Sequence, residues 1–246
     1  MVYAALECPH CKSEKIQKYG TSPVGKQRYV CKACKKTFQR DYTYIACEPS
    51  TRSKIYFQTI NGSGTRAIAR TLNIDKNTVT STLKSFEALL WHVNYDYLME
   101  LDEQDVEVDV VCGTQAEMDE MWSFVHDKSQ QYWLWWAIDH NTGTPLAFCF
   151  GTREHKYLEK LKELIEDFNI TTIFTDGNPA YEELMAEYDH VIGKRETQKI
   201  ERKHLSLRTW CSRLVRKGIR FSKSHLMHFI VVSLVINHWF FGRILV

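Results

Sequence analysis

Four cysteines within the first 34 residues restrict this chain more than any other feature. Cys8, Cys11, Cys31 and Cys34 follow the pattern C-x2-C-x19-C-x2-C. Each C-x2-C knuckle sets two thiolates on one side of a tight turn. The intervening stretch, with Gly20, Pro23 and Gly25 to turn it, brings the second knuckle back to the first. Four soft ligands converging from two directions suit tetrahedral Zn2+. Residues 1–45 are too few and too polar to fold on hydrophobic burial, so the metal is expected to supply the folding energy of a zinc ribbon. Two redox pairs, or plain buried cysteines, fit the spacing less well in a reducing compartment. Cys47, Cys112, Cys149 and Cys211 lack partner spacing and read as packing residues.

Charge is segregated along the 246 residues, although the net value is only +2. Residues 1–40 carry nine Lys/Arg against two Asp/Glu, and residues 194–223 carry eleven against two. Between them, residues 86–120 hold eleven Asp/Glu and no Lys/Arg. Two basic blocks around an acidic one predict a polyanionic partner and a site that gathers cations. Hydrophobic residues at 44% and charged residues at 25% exclude collagen-like, disordered and disulfide-scaffold classes. The start MVYAALECPH has no secretory pattern. The apolar tail from Leu226 to Val246 is broken by His228, Ser233, Asn237, His238 and Arg243, so it predicts a buried helix rather than a membrane span. Reduced cysteines and a cytoplasmic location follow.

Four segments are legible: a cysteine-rich one over 1–45, a helical one over 50–95, an acidic connector over 96–112 and an α/β region over 113–246. In the last, EMDEMWSFV, QYWLWWAID and TPLAFCFG alternate as strands, separated by the polar turns HDKSQ and DHNTG. These predict an antiparallel meander. HKYLEKLKELIEDF is an amphipathic helix, ITTIFTDG a fourth strand and PAYEELMAEY a short helix. A long helix is expected from Thr197 to about Lys217, with Ile200, His204, Leu207, Cys211 and Leu214 inward. The predicted order is β-β-β-α-β-α-α.

Residues 64–85, GTRAIARTLNIDKNTVTSTLKS, carry helix-turn-helix spacing. Ile68, Ala69 and Leu72 form one apolar turn, Asn73-Ile74-Asp75 breaks it, and Val79 and Leu83 resume it. The second helix would present Lys76, Asn77, Thr80 and Ser81 to a major groove. Alone, an ordinary helical hairpin is as good a reading; beside a basic ribbon, DNA binding is favoured.

The candidate chemistry rests on Asp119 in the first strand, Asp176 at the end of the fourth and Glu201 in the long helix. First and fourth strands of such a sheet are neighbours. Three carboxylates meeting at their ends suit two Mg2+ or Mn2+ ions clamping a phosphodiester. Glu120 points to the opposite face of its strand and is the lesser candidate. Asp139 is explained by its turn. The acids alone are a weak signal among 30. Lys194, Arg195, Lys199, Arg202, Lys203, Arg208 and Arg213 around Glu201 strengthen it; Lys194, Arg195, Gln198, Arg202 and Lys203 are the expected DNA contacts there.

MDEMWSFV, YWLWWAIDHNTG, LAFCFG, TDGNPAY, GKRETQKIERKHLSLR and FSKS, with CPHC…GKQRYVCKACKKTF upstream, together resemble transposases of insertion-sequence family 1. The resemblance covers nearly the whole chain, and DEMW, TDG and TQKIER are its most specific pieces. It implies an RNase H-like core with a DDE triad falling on Asp119, Asp176 and Glu201. It also implies a prokaryotic, nucleoid-associated protein. The expected activity is end binding, metal-dependent cleavage and joining of the 3′-hydroxyl to target double-stranded DNA, by a homodimer or higher oligomer. A DNA-binding regulator with an inert core, or a nuclease of the same fold that does not join strands, are the rival readings.

Overall fold

The computed structural model describes residues 6–246 apart from 24, 43, 106–113 and 216. The ribbon is three antiparallel strands in the order β1 (Ile16–Thr21), β2 (Gln27–Cys31), β3 (Thr37–Gln39). Its two knuckles are built alike. The Lys12 amide donates to Cys8 O and the Lys35 amide to Cys31 O, both at 2.9 Å. Lys12 and Lys35 take the left-handed conformation that such turns need, with φ of 59° and 61°. The apolar core here is little more than Cys8, Cys31 and Phe38, with Tyr29 stacked on Phe38.

Three helices follow: α1 (Thr51–Ile60), α2 (Thr65–Leu72) and α3 (Lys76–Lys84). Asn73 ends α2 in the left-handed region (φ 50°), and Asp75 starts α3 by accepting the Asn77 amide at 2.6 Å. Ile55, Ile68, Val79 and Leu83 are buried between the three, as the apolar spacing predicts.

The acidic stretch is not a bare connector. Residues Tyr95–Asp105 form a helix, α4, that packs Tyr97, Leu98 and Leu101 on the α/β core. The rest of the expected connector, 106–112, lies outside the described residues, as does Cys112.

The α/β region is a five-stranded sheet in the order β6-β5-β4-β7-β8. β4 (Thr114–Phe124), β5 (Gln131–Asp139) and β6 (Pro145–Gly151) are the predicted meander. α5 (His155–Ile165) crosses over to β7 (Ile170–Thr175), which lies parallel beside β4. After α6 (Pro179–Leu184) comes β8 (Asp189–Ile192), a parallel edge strand that sequence reading missed. Its four residues alternate too briefly to stand out. Three antiparallel strands followed by two parallel ones, with helices on both faces, are the expected RNase H-like arrangement. The long helix is shorter than expected: α7 runs Gln198–Trp210, and a 3-10 turn continues it over Ser212–Leu214. The inward stripe survives that change, since Cys211 and Leu214 are still buried. Cys149 and Cys211 are buried, but Cys47 is exposed and does not pack as expected.

The apolar tail is α8 (His225–Trp239), buried along most of its length. It lies between the sheet and the three-helix unit, so α1, α3, α7 and β5 share one core. Three of the polar interruptions in the tail tie it to the rest of the chain. His228 bonds Ser222 Oγ (2.9 Å) and Ser123 Oγ (3.3 Å). His238 Nδ1 meets the Tyr56 hydroxyl of α1 at 3.0 Å. Asn237 exchanges two bonds of 2.9 Å with the Trp91 backbone. No helix among the described residues is long and apolar enough to cross a membrane.

Candidate active site and metal centres

The four ribbon cysteines converge. Their sulfurs all lie within 4.8 Å of one another, with Cys8–Cys34 at 3.6 Å and Cys11–Cys31 at 3.5 Å. Tetrahedral zinc at Zn–S of about 2.3 Å requires sulfurs about 3.8 Å apart, so the residues fit that ion.

The second cluster stands at the carboxyl end of β7. The β4–β7 pairing ends at Glu117 opposite Phe174, so the chain beyond it in β4 projects past the end of β7. There Asp119, Glu120 and Asp176 offer oxygens that all lie within 4.8 Å of one another. Asp119 and Asp176 meet as sequence reading expected. Glu120 corrects it. Its side chain does face the α6 side, accepting from the Tyr181 hydroxyl (3.0 Å), Asn178 Nδ2 (3.1 Å) and Arg153 Nη2 (2.9 Å). Where β4 runs on past the end of β7, however, that placement still brings it to the cluster. Glu201 is exposed on the first turn of α7 and is not one of the three clustered acids. Its charge nevertheless reaches Asp119. Burial, then repulsion from Glu120, Asp176 and Glu201, pushes the Asp119 carboxyl up to about 7. Crowded, partly desolvated carboxylates of this kind fit a hard divalent cation with oxygen ligands.

Two features that sequence reading did not find hold α7 against β4. Buried Glu117 accepts the Ile200 amide (3.0 Å), so a strand carboxylate caps the helix start. The same carboxylate meets His140 Nδ1 at 3.0 Å, and that ring stacks on Phe174. Lys199 donates to the carbonyls of His140 and Asn141 in the adjoining turn. The second feature is a bonded chain. Trp136 Nε1–H, which can only donate, gives its hydrogen to His204 Nε2 at 2.8 Å. Burial holds the His204 pKa down to about 3, so the ring is neutral. Its remaining proton is therefore on Nδ1, which faces Asp119 Oδ2 at 3.5 Å. The signals were present: Glu117 shares a strand face with Asp119, and His204 lies three residues after Glu201 on the inward stripe.

The expected nucleic-acid contacts are mostly at the surface. Lys76, Asn77 and Ser81 are exposed on α3, and Thr80 is half-buried. Lys194, Arg195, Gln198 and Arg202 are exposed around the start of α7. Lys203 differs: its ammonium lies over the Phe240 ring at 5.5 Å, and burial lowers its pKa. Asp139 accepts the amide and hydroxyl of Thr142, the turn role expected of it.

An RNase H-like sheet with acids gathered at the β4–β7 switch, behind a four-cysteine ribbon and a helix-turn-helix, defines a DNA-binding, metal-dependent polynucleotidyl transferase. Comparison with known proteins narrows the class. Residues 109–242 match the family model described as IS1 transposase, residues 42–87 that of the InsA C-terminal domain and residues 1–35 that of the InsA N-terminal domain. The chain belongs to the IS1 transposase family and is a DNA transposase. It is 44% identical over 128 residues to the insertion element IS1 protein InsB of Shigella flexneri, covering 52% of this chain and 95% of that one. The IS1 1 protein InsB of Escherichia coli K12 is 43% identical, with 52% and 75% covered. The catalytic core domain of BIV integrase aligns over 54% of this chain and 88% of its own, at 16% identity and a TM-score of 0.36.

Proposed function

We propose that the chain cuts at the ends of its insertion element and joins the freed 3′-hydroxyls to target DNA, using Asp119, Asp176 and Glu201. The observation that carries this is the meeting of Asp119 and Asp176, from segments distant in sequence, in a pocket where burial, and then the neighbouring negative charge, pushes Asp119 up to about 7. The ribbon and the exposed face of α3 bind the terminal inverted repeats. Lys76 and Lys194, Arg195 and Arg202 neutralise phosphates, while Asn77 and Thr80 read base edges. Asp119, Asp176 and Glu201, with Glu120 beside them, would hold two Mg2+ or Mn2+ ions. When bound, such ions activate the attacking oxygen and stabilise the leaving one. Cys8, Cys11, Cys31 and Cys34 would hold Zn2+ and so shape the ribbon. His204 orients Asp119, and Glu117 holds the start of α7, which carries Glu201, against β4. One phosphodiester is exchanged for another, so no ATP or covalent protein intermediate is required. Two ends need two such sites, which a homodimer or larger assembly would supply.

The test uses a duplex carrying the element's own terminal repeat and a supercoiled target, with Mg2+ or Mn2+. Wild type should nick and join; Asp176→Asn and Glu201→Gln should bind the repeat normally and do neither. Full strand transfer by either variant would overturn the assignment. Nicking without joining would favour the nuclease reading, and binding without either step the regulator.

A further inference from the structure

A row of aromatic side chains leads away from the acidic cluster on the α6 side of the sheet, and none of the chemistry above uses it. It begins at Arg153, which donates to Glu120 at 2.9 Å and lies 5.0 Å from the centre of the Trp133 ring. Trp133 is paired across the strands with Trp122. Trp122 lies 5.5 Å from Phe124, and Phe124 lies 5.3 Å from Phe221, with rings inclined by only 36° in both contacts. Lys223 caps the far end, its ammonium 3.7 Å from the Phe221 ring centre. Glu120, Trp122 and Phe124 alternate along β4 and so share one face, at about 7 Å per two residues. All four aromatic residues are half-buried, with surface left open to solvent.

Trp133 also packs against the core, but each of the four rings keeps part of its surface open at the rim of the sheet, and a contiguous set of partly open rings marks an interaction surface. The cations at the two ends select for an anion-bearing occupant, and Lys217 and Arg220 lie in the same segment as Phe221 and Lys223. A paired duplex hides the faces of its bases; an unpaired strand offers faces to stack and phosphates to neutralise. We propose that Trp133, Trp122, Phe124 and Phe221 form a stacking track for unpaired DNA nucleotides next to the scissile phosphate, with Arg153 and Lys223 holding its backbone. This rests on the transposase reading for its location beside the cut. The track itself needs only a DNA strand with exposed bases. Its use would be to hold the strand displaced when the end of the duplex opens.

The experiment compares binding of the full zinc-loaded chain, with no Mg2+ or Mn2+ added so that no strand is cut, to three fluorescent probes. These are a blunt duplex, the same duplex with a five-nucleotide single-stranded tail, and the same with a five-unit abasic tail. Wild type should bind the base-bearing tail roughly tenfold more tightly than the blunt or abasic probe. Trp122→Ala and Phe221→Ala should lose that preference while keeping blunt-duplex affinity, and Trp122→Phe should retain it. Phe221 lies outside the sheet, so its variant keeps the test valid if Trp122→Ala fails to fold. Equal binding of tailed and blunt probes, equal binding of abasic and base-bearing tails, or a preference intact in Phe221→Ala and Trp122→Ala would overturn the proposal. Loss of self-association in Phe221→Ala with unchanged tail preference would assign the row to a second copy instead. Mg2+-dependent strand transfer, measured separately, tells the two readings apart: transfer without tail preference refutes only the track, and tail preference without transfer refutes only the enzyme.

Discussion

At the scale of single residues, the site depends on groups that touch no substrate. His204 receives the Trp136 indole hydrogen and turns its own towards Asp119. An amide can imitate one such donor; an alkyl group cannot. His204→Asn should therefore keep much of the activity, while His204→Leu should need several-fold more Mg2+ for half-maximal nicking. A metal titration at saturating DNA separates this from a loss of folding. Asp119 supplies a pH prediction. Its carboxyl sits at about 7 against an ordinary 3.8, so the proton competes with a divalent cation through the neutral range. The rise in melting temperature on adding Mg2+ should be larger at pH 8 than at pH 6, and Asp119→Asn should abolish the difference. Glu117→Leu removes the α7 cap and strands His140. A loss of about 1–3 kcal/mol in urea unfolding is expected, because a buried donor is left unpaired.

At the scale of structural elements, the ribbon and the sheet answer differently to treatment. The ribbon's buried set is two cysteines and one phenylalanine, so chelation should melt β1–β3 while the five-stranded sheet stays folded. Amide exchange resolved by segment would show this; unchanged protection of β1–β3 after chelation would refute the structural role of zinc. The same contrast explains what could be read in advance. Metal-ligand spacing, the alternation in β4–β6 and the apolar stripe of α5 are local patterns, so those elements were legible. β8 was not, since four residues carry little period. The end of α7 at Trp210 was not, because the buried stripe passes unbroken from helix into a 3-10 turn. Likewise, Asp119 and Asp176 could be paired from strand adjacency. The approach of Glu120 depends on how far β4 outruns β7, a register that no local pattern encodes.

For the whole molecule, α8 decides cooperativity. It packs the three-helix unit and the sheet into one core, so both should unfold in a single transition. Substituting Asn237 by Leu, which frees the Trp91 backbone groups, should lower the common midpoint rather than split it. Fluorescence and far-ultraviolet circular dichroism curves that separate in the wild type would contradict this. Buried His204 and His228 are both held down to about 3. Above about 6.5 neither folded nor unfolded chain is protonated at these rings. Below it the unfolded chain takes protons that the folded one refuses, so stability falls as pH drops from 6.5 towards 3. Each histidine contributes up to about 1.4 kcal/mol per pH unit. His228→Asn should shrink the difference in unfolding free energy between pH 7 and pH 5 by about 2 kcal/mol.

The continuity of that interior has a further effect on how the DNA is measured. With Tyr56 of α1 bonded to His238 of α8, and Ser212 beyond α7 donating to Gly62 at 2.7 Å, the three-helix unit is braced to the helices that pack on the sheet at two separate points. Under the proposed function the protein would act as a gauge of fixed length, its scaffold setting the number of base pairs between the recognised sequence and the nick. Inserting one or two base pairs there should abolish cutting rather than move it.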